Sequence, residues 1–159
     1  MAITTLSAYL KALLAGMVAL AVNFLLLGLA DRAGIVTARG GFQRLVKLWA
    51  GPVLHGAGVD RLWSALHLPD PDGALFTNGF KVVVGLAMAV IYLRIKPLLP
   101  GPALEKGLIY ALLVWLINAV IVLPALDQGF AGTSTLSAIG IIAFAVAHTA
   151  FFLVLAALI

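Results

Sequence analysis

The sequence predicts an all-α fold: a four-helix transmembrane bundle with two short amphipathic interfacial helices between helices 1 and 2. Three observations carry this. Four apolar stretches, at about 9–30, 76–95, 103–123 and 135–158, make up more than half of the 159 residues. Each matches the roughly 20 helical residues that cross a hydrocarbon core about 30 Å thick. Only 10% of residues are charged and the mean hydropathy is +1.16, values foreign to a soluble domain. The segment 41–68 between the first two stretches is neither apolar throughout nor loop-like, and its apolar residues recur at helical spacing.

The first stretch follows Lys11 and ends in Gly28-Leu29-Ala30, small residues of the kind a signal peptidase cuts. A single preceding charge and a long apolar run argue instead for a permanent first helix. Asp31 stops it, with Gly34 beyond. The connection that follows is far longer than the few residues joining a helix hairpin. In it Phe42, Leu45, Val46, Trp49 and Val53 form one helical face, with Gln43, Arg44 and Lys47 on the other side. After a Gly51-Pro52 break, Val59, Leu62, Trp63 and Leu66 repeat the pattern with Asp60 and Arg61 outside it. Helices are therefore expected over 42–53 and 60–66, lying in the headgroup plane or capping the bundle, with Trp49 and Trp63 as docking side chains.

Pro69-Asp70-Pro71-Asp72-Gly73 is a turn-rich return to the second span. Between the second and third spans, Pro97, Pro100 and Pro102 make a short stiff turn, and Pro102 suits the first turn of the next helix. Pro124 ends or kinks the third span, and Thr133 or Ser134 is the expected N-cap of the fourth. Spans two and three, and three and four, are thus antiparallel hairpins. Small residues four apart (Ala12 and Gly16, Ala15 and Ala19, Gly85 and Ala89, Ala143 and Ala147) mark helix contacts, since they let backbones approach in lipid.

Composition removes several function classes. Without cysteine there is no disulfide, thiolate metal site or cysteine nucleophile. The net charge of +4 is spread over loops and helix ends, as membrane-flanking anchors are, so nucleic acid is not an expected partner. The expected partners are the lipid bilayer and a larger membrane-protein complex or a homo-oligomer. Lys11, Arg94, Lys96 and Lys106 flank one face, while the other carries five basic residues but also Asp31, Asp60, Asp70, Asp72 and Asp127. The final loop, 125–134, has no lysine or arginine, so both termini are expected in the cytoplasm.

Few residues could carry chemistry. His148 is the one histidine inside a span; a single hydrogen bond would satisfy it, and the sharper reading is a haem, quinone or proton-relay role. A bis-histidine haem would need a second membrane histidine. His55 and His67, twelve apart, lack the spacing of a metal site on one helix. Lys81 lies inside the second span, where it either snorkels to the membrane face or pairs with Asp31 or Asp127. Asn23 and Asn118 come to similar depths on helices that start at the same face, so they are expected to pair with each other. The alternatives are a bond from each to its own helix backbone or to a partner; Asn118 would then be a candidate ligand contact. No paired carboxylates, Ser-His-Asp set, phosphate loop or metal motif is present, and Ser134, Thr135 and Ser137 read as cap and packing residues.

The stretch 80–124 contains Gly85, Tyr92, the Pro-Leu-Leu-Pro-Gly-Pro turn at 97–102, Gly107, Trp115, Asn118 and Pro124, and His148 follows in the last span. In this the chain resembles the small YagU-like inner-membrane proteins of bacteria, over less than half its length. The resemblance implies fold and location but no established chemistry. Its histidine opening the second span is replaced here by the neighbourhood of Asn78 and Lys81. The functional expectation is a non-catalytic membrane protein, an accessory or scaffolding subunit of a larger complex, with no required cofactor. The rival class is a binder or carrier of haem, quinone or lipid that uses His148 and nearby polar residues.

Overall fold

The computed structural model describes residues 2–159, with side chains from Leu6 onward. It is helical throughout, with no strand among the described residues: α1 (Ala2–Arg32), α2 (Gly41–Gly56), α3 (Val59–Ala65), α4 (Ala74–Ile95), α5 (Ala103–Ile117) and α6 (Ala138–Leu158). Four segments are long and apolar enough to cross a membrane: Leu6–Arg32, Ala74–Leu98, Ala103–Leu126 and Ala138–Leu158.

Helix ends follow local chemistry. Gly34, at φ +71°, closes α1: Ile35 N–H donates to the Ala30 carbonyl at 2.9 Å and Gly34 N–H to that of Asp31 at 3.0 Å. This two-bond αL closure satisfies carbonyls the helix would otherwise leave bare. Pro102 occupies the N-cap of α5 instead of its first turn. Pro124 has no N–H, and its ring would collide with the carbonyl one turn back. The chain after Ile117 accordingly widens into a π-helical segment, Asn118–Val122, in which Leu123 N–H reaches the Asn118 carbonyl at 2.9 Å. The N-cap of α6 is Ser137, whose Oγ accepts from Gly140 N–H at 3.2 Å, and not Thr133 or Ser134. Those two close the preceding loop: Thr133 N–H donates to Phe130 and Ser134 N–H to Gln128, both at 3.0 Å, which delays the helix.

The bundle is built around α1, which packs against both α6 and α4, while α5 packs against α6. Ala12, Ala15, Gly16 and Ala19 are all buried on α1. A β-carbon on Gly16 would lie 2.9 Å from that of Ala89, and one on Gly107 would lie 2.6 Å from the Ala156 β-carbon and 3.0 Å from the Phe152 carbonyl. These glycines set the helix spacing. The hairpin of α4 and α5 is close only near its turn, where Tyr92 stacks on Tyr110 at 5.5 Å and Lys106 Nζ donates to the Lys96 carbonyl at 3.1 Å. Tyr110 also donates its hydroxyl to the Met88 carbonyl at 3.3 Å. Farther from the turn the two helices do not pack on each other.

The start of α2 fills the far end of that gap. Gly41 rests against Val122 and Leu123, and Phe42 lies 6.0 Å from Phe80, ring to ring. Gln43, expected on the outer polar side, is buried and donates through Nε2 to Thr77 Oγ1 at 3.2 Å. The helical wheel could not foresee this, because both flanks of the first turn of α2 face protein. Lys47 bonds Asp72 at 2.6 Å and the Pro71 carbonyl, fastening α2 to the return loop. The outer half of α2 is open: Trp49 is 62% exposed and Val53 71%. Trp63 of α3 is half-buried, its Nε1–H donating to the Pro69 carbonyl at 2.9 Å and its ring edge-on to Phe76 at 5.6 Å.

Gly107→Ala is expected to lower the melting temperature in detergent, by overpacking worth about 1–3 kcal/mol, because the obstructing atoms include backbone of α6. Gly28→Ala, with nothing within 4 Å of the added methyl, should leave it unchanged or raise it slightly.

Candidate ligand cavity

The separation of α4 from α5 leaves a chamber of about 210 Å³, walled also by α1 and α6 and capped by the start of α2. Its walls are mostly apolar, with Phe80, Val84 and Met88 on α4 and Phe151 and Phe152 on α6. Asn23, Lys81, Asn118 and His148 reach it from four different helices. At 1.5 Å per residue, Lys81 lies about 10 Å from the start of α4. By the same rise His148 lies about 15 Å from the start of α6 and Asn23 about 14 Å from the end of α1. Those ends share one face of the bundle, so the polar groups form a belt at one level.

Sequence reasoning placed Asn23 and Asn118 together, and the structure does bring both to this chamber, but not as a reciprocal pair. Asn23 Nδ2 donates to the Ala147 carbonyl of α6 at 2.9 Å, and Asn118 Nδ2 to the Val114 carbonyl of its own helix at 3.0 Å. The reason is packing order. Since α1 lies directly on α6, the nearest acceptor for Asn23 is an α6 carbonyl, while α5 stands across the chamber. Among the described residues no donor meets either amide oxygen. The ring of His148 lies 4.2 Å from that of Phe144, and its Nδ1 is enclosed beside the Phe144 backbone one turn back.

Lys81 does not pair with Asp31 or Asp127. Asp31 is taken by Arg39, which the short loop after α1 folds back onto it. Asp127 sits exposed in a left-handed turn beyond α5. Lys81 is half-buried and also lines an adjoining recess of about 420 Å³ with Phe24, Leu27, Arg39 and Asn78. These shared walls make the recess the vestibule of the chamber. His55 bonds Asp60 on the exposed surface, His67 is exposed, and no group of three or more His, Asp or Glu among the described residues could hold a metal ion.

Arg39, Gln43 and the π-helical turn at Asn118 were not anticipated as parts of one site. Pro124 was the available signal for the last, because a proline that breaks a span must disturb the bonds before it. Turns of this kind occur often at functional sites. No family model, curated protein or solved structure matches the chain.

Asn23→Leu is expected to destabilise the protein by about 0.6–2 kcal/mol, the range for interhelical hydrogen bonds in membranes. Asn118→Leu should cost less, since its bond ties no two helices together. Thermal melts of both variants in one detergent check the order.

Proposed function

We propose that this is a non-catalytic, multi-pass membrane protein that binds a small amphipathic molecule between α4 and α5. The observation carrying this reading is the convergence of Asn23, Lys81, Asn118 and His148 on one apolar-walled chamber, where no donor among the described residues meets either amide oxygen. Ligand sites have this composition: an apolar lining with a few convergent polar groups. The chamber is smaller than the roughly 300–1,000 Å³ that encloses a drug-sized ligand, so it suits a chain or a single ring. A haem is a poor fit to that width and to a lone histidine.

Protein gently extracted from membranes is expected to carry a small apolar molecule, seen as added mass in native mass spectrometry and recovered in an organic extract. Val84→Trp, which fills the chamber, should lose it. A stoichiometric protein partner with no bound small molecule would overturn this and favour the accessory-subunit reading. That second reading draws on the exposed Trp49 and Val53 of α2. Tryptophan at a membrane surface anchors equally well to lipid headgroups, so α2 and α3 are assigned to the headgroup plane.

The membrane is proposed to be a bacterial inner membrane with both termini on the cytoplasmic side. The chain lacks cysteine, which makes single-cysteine labelling clean. Cysteine at Leu98, exposed in the turn between α4 and α5, should react only with reagents admitted to the cytoplasm. Cysteine at Ser64 of α3 should react from outside.

A further inference from the structure

Resting on the cavity reading above, we propose that the ligand is a single-chain carboxylate amphiphile, its head held at Lys81 and Arg39 and its chain in the chamber. The vestibule holds two cations, Arg39 and Lys81, and one carboxylate, Asp31, reaches it through its ion pair with Arg39. One positive charge remains, and a monoanion balances it. A phosphate monoester, at about −1.5 to −2, would overshoot.

Lys81 supplies the main attraction. It lies about 10 Å inside a spanning helix, and Asp31, the carboxylate that acts on it, is ion-paired with Arg39 instead. A charge at that depth is costly when unpaired, so an incoming anion gains an interaction that the protein alone leaves unmade. The Asp31 side chain on Arg39 shows that the rim already accommodates a carboxylate. Asn78, one turn before Lys81 on α4, lines the same recess. Asn23 and Asn118 stand close to the same level, and each amide nitrogen has a second N–H beyond the one bonded to backbone.

The chain has one direction to go. Past the polar belt the walls are Val84, Met88, Phe151 and Phe152, and a chamber of about 210 Å³ has room for part of one acyl chain and not for two. A two-chain phospholipid would leave its second chain outside, against α4 and α5.

The test uses full-length, delipidated protein in a neutral detergent, titrated with dansyl-labelled undecanoate and competed with palmitate, hexadecanol or lysophosphatidate. Palmitate should displace the probe at about tenfold lower concentration than hexadecanol, the difference one charge-assisted contact makes. Lys81→Gln should weaken probe binding about tenfold, Lys81→Arg should keep it, and Val84→Trp should abolish it. Equal competition by hexadecanol, wild-type affinity in Lys81→Gln, or stronger competition by lysophosphatidate would overturn the carboxylate assignment and leave the cavity reading standing. Probe binding that survives Val84→Trp, or no binding at all, would overturn both.

Discussion

Close backbone approach along α1 is the constraint on which the rest depends. In lipid there is no hydrophobic force between helices, because acyl chains are as apolar as leucine, so spans associate by packing contacts and hydrogen bonds. The small residues Ala12, Ala15, Gly16 and Ala19 give α1 a smooth surface that seats α4 on one side and α6 on the other. Gly107 then lets α5 settle against α6. With the order α4–α1–α6–α5 fixed in this way, α4 and α5 are held apart although only a short turn joins them. The chamber is what remains between them.

Two further features keep that space from closing. Tyr92, fully buried, stacks on Tyr110 near the turn and wedges the hairpin at its base. At the other end the first turn of α2 enters between the helices and is held there by Gln43, Phe42 and Lys47. The π-helical turn before Pro124 widens α5 at the level of Asn118. Helix ends, loop and wedge thus place four polar side chains around an apolar space without requiring them to satisfy one another.

The polar belt is expensive for a bundle that needed only to be stable. Amides and imidazoles inside a bilayer are tolerated where they bond backbone or face a cavity. Asn23 serves stability by tying α1 to α6, yet its oxygen and that of Asn118 meet no donor among the described residues. A protein that departs from local consistency tends to do so where it functions. The convergence of four polar side chains on one apolar space, and not any motif, is what distinguishes this chamber from an ordinary packing gap.

Apolar run lengths determined by themselves that four helices are long enough to span, because the hydrocarbon thickness and the helical rise leave little choice. Helical periodicity pointed to helices in the connection, although α2 runs through the expected Gly51-Pro52 break to Gly56, and proline and glycine located most ends of the spans, since both act through local backbone geometry. The face of α2 was misread at Gln43, and the cap of α6 at Thr133 and Ser134, because tertiary contacts and loop closure overrode the local pattern. The bond of Asn118 to its own helix was one of the readings open from sequence, but the partner of Asn23 and the surroundings of Lys81 were not. Depth along a helix follows from counting residues, but which helix stands opposite depends on the order of packing around the bundle. Only the tertiary structure decided that α6 comes between α1 and α5, giving Asn23 to Ala147, Asp31 to Arg39, and Lys81 to a cavity.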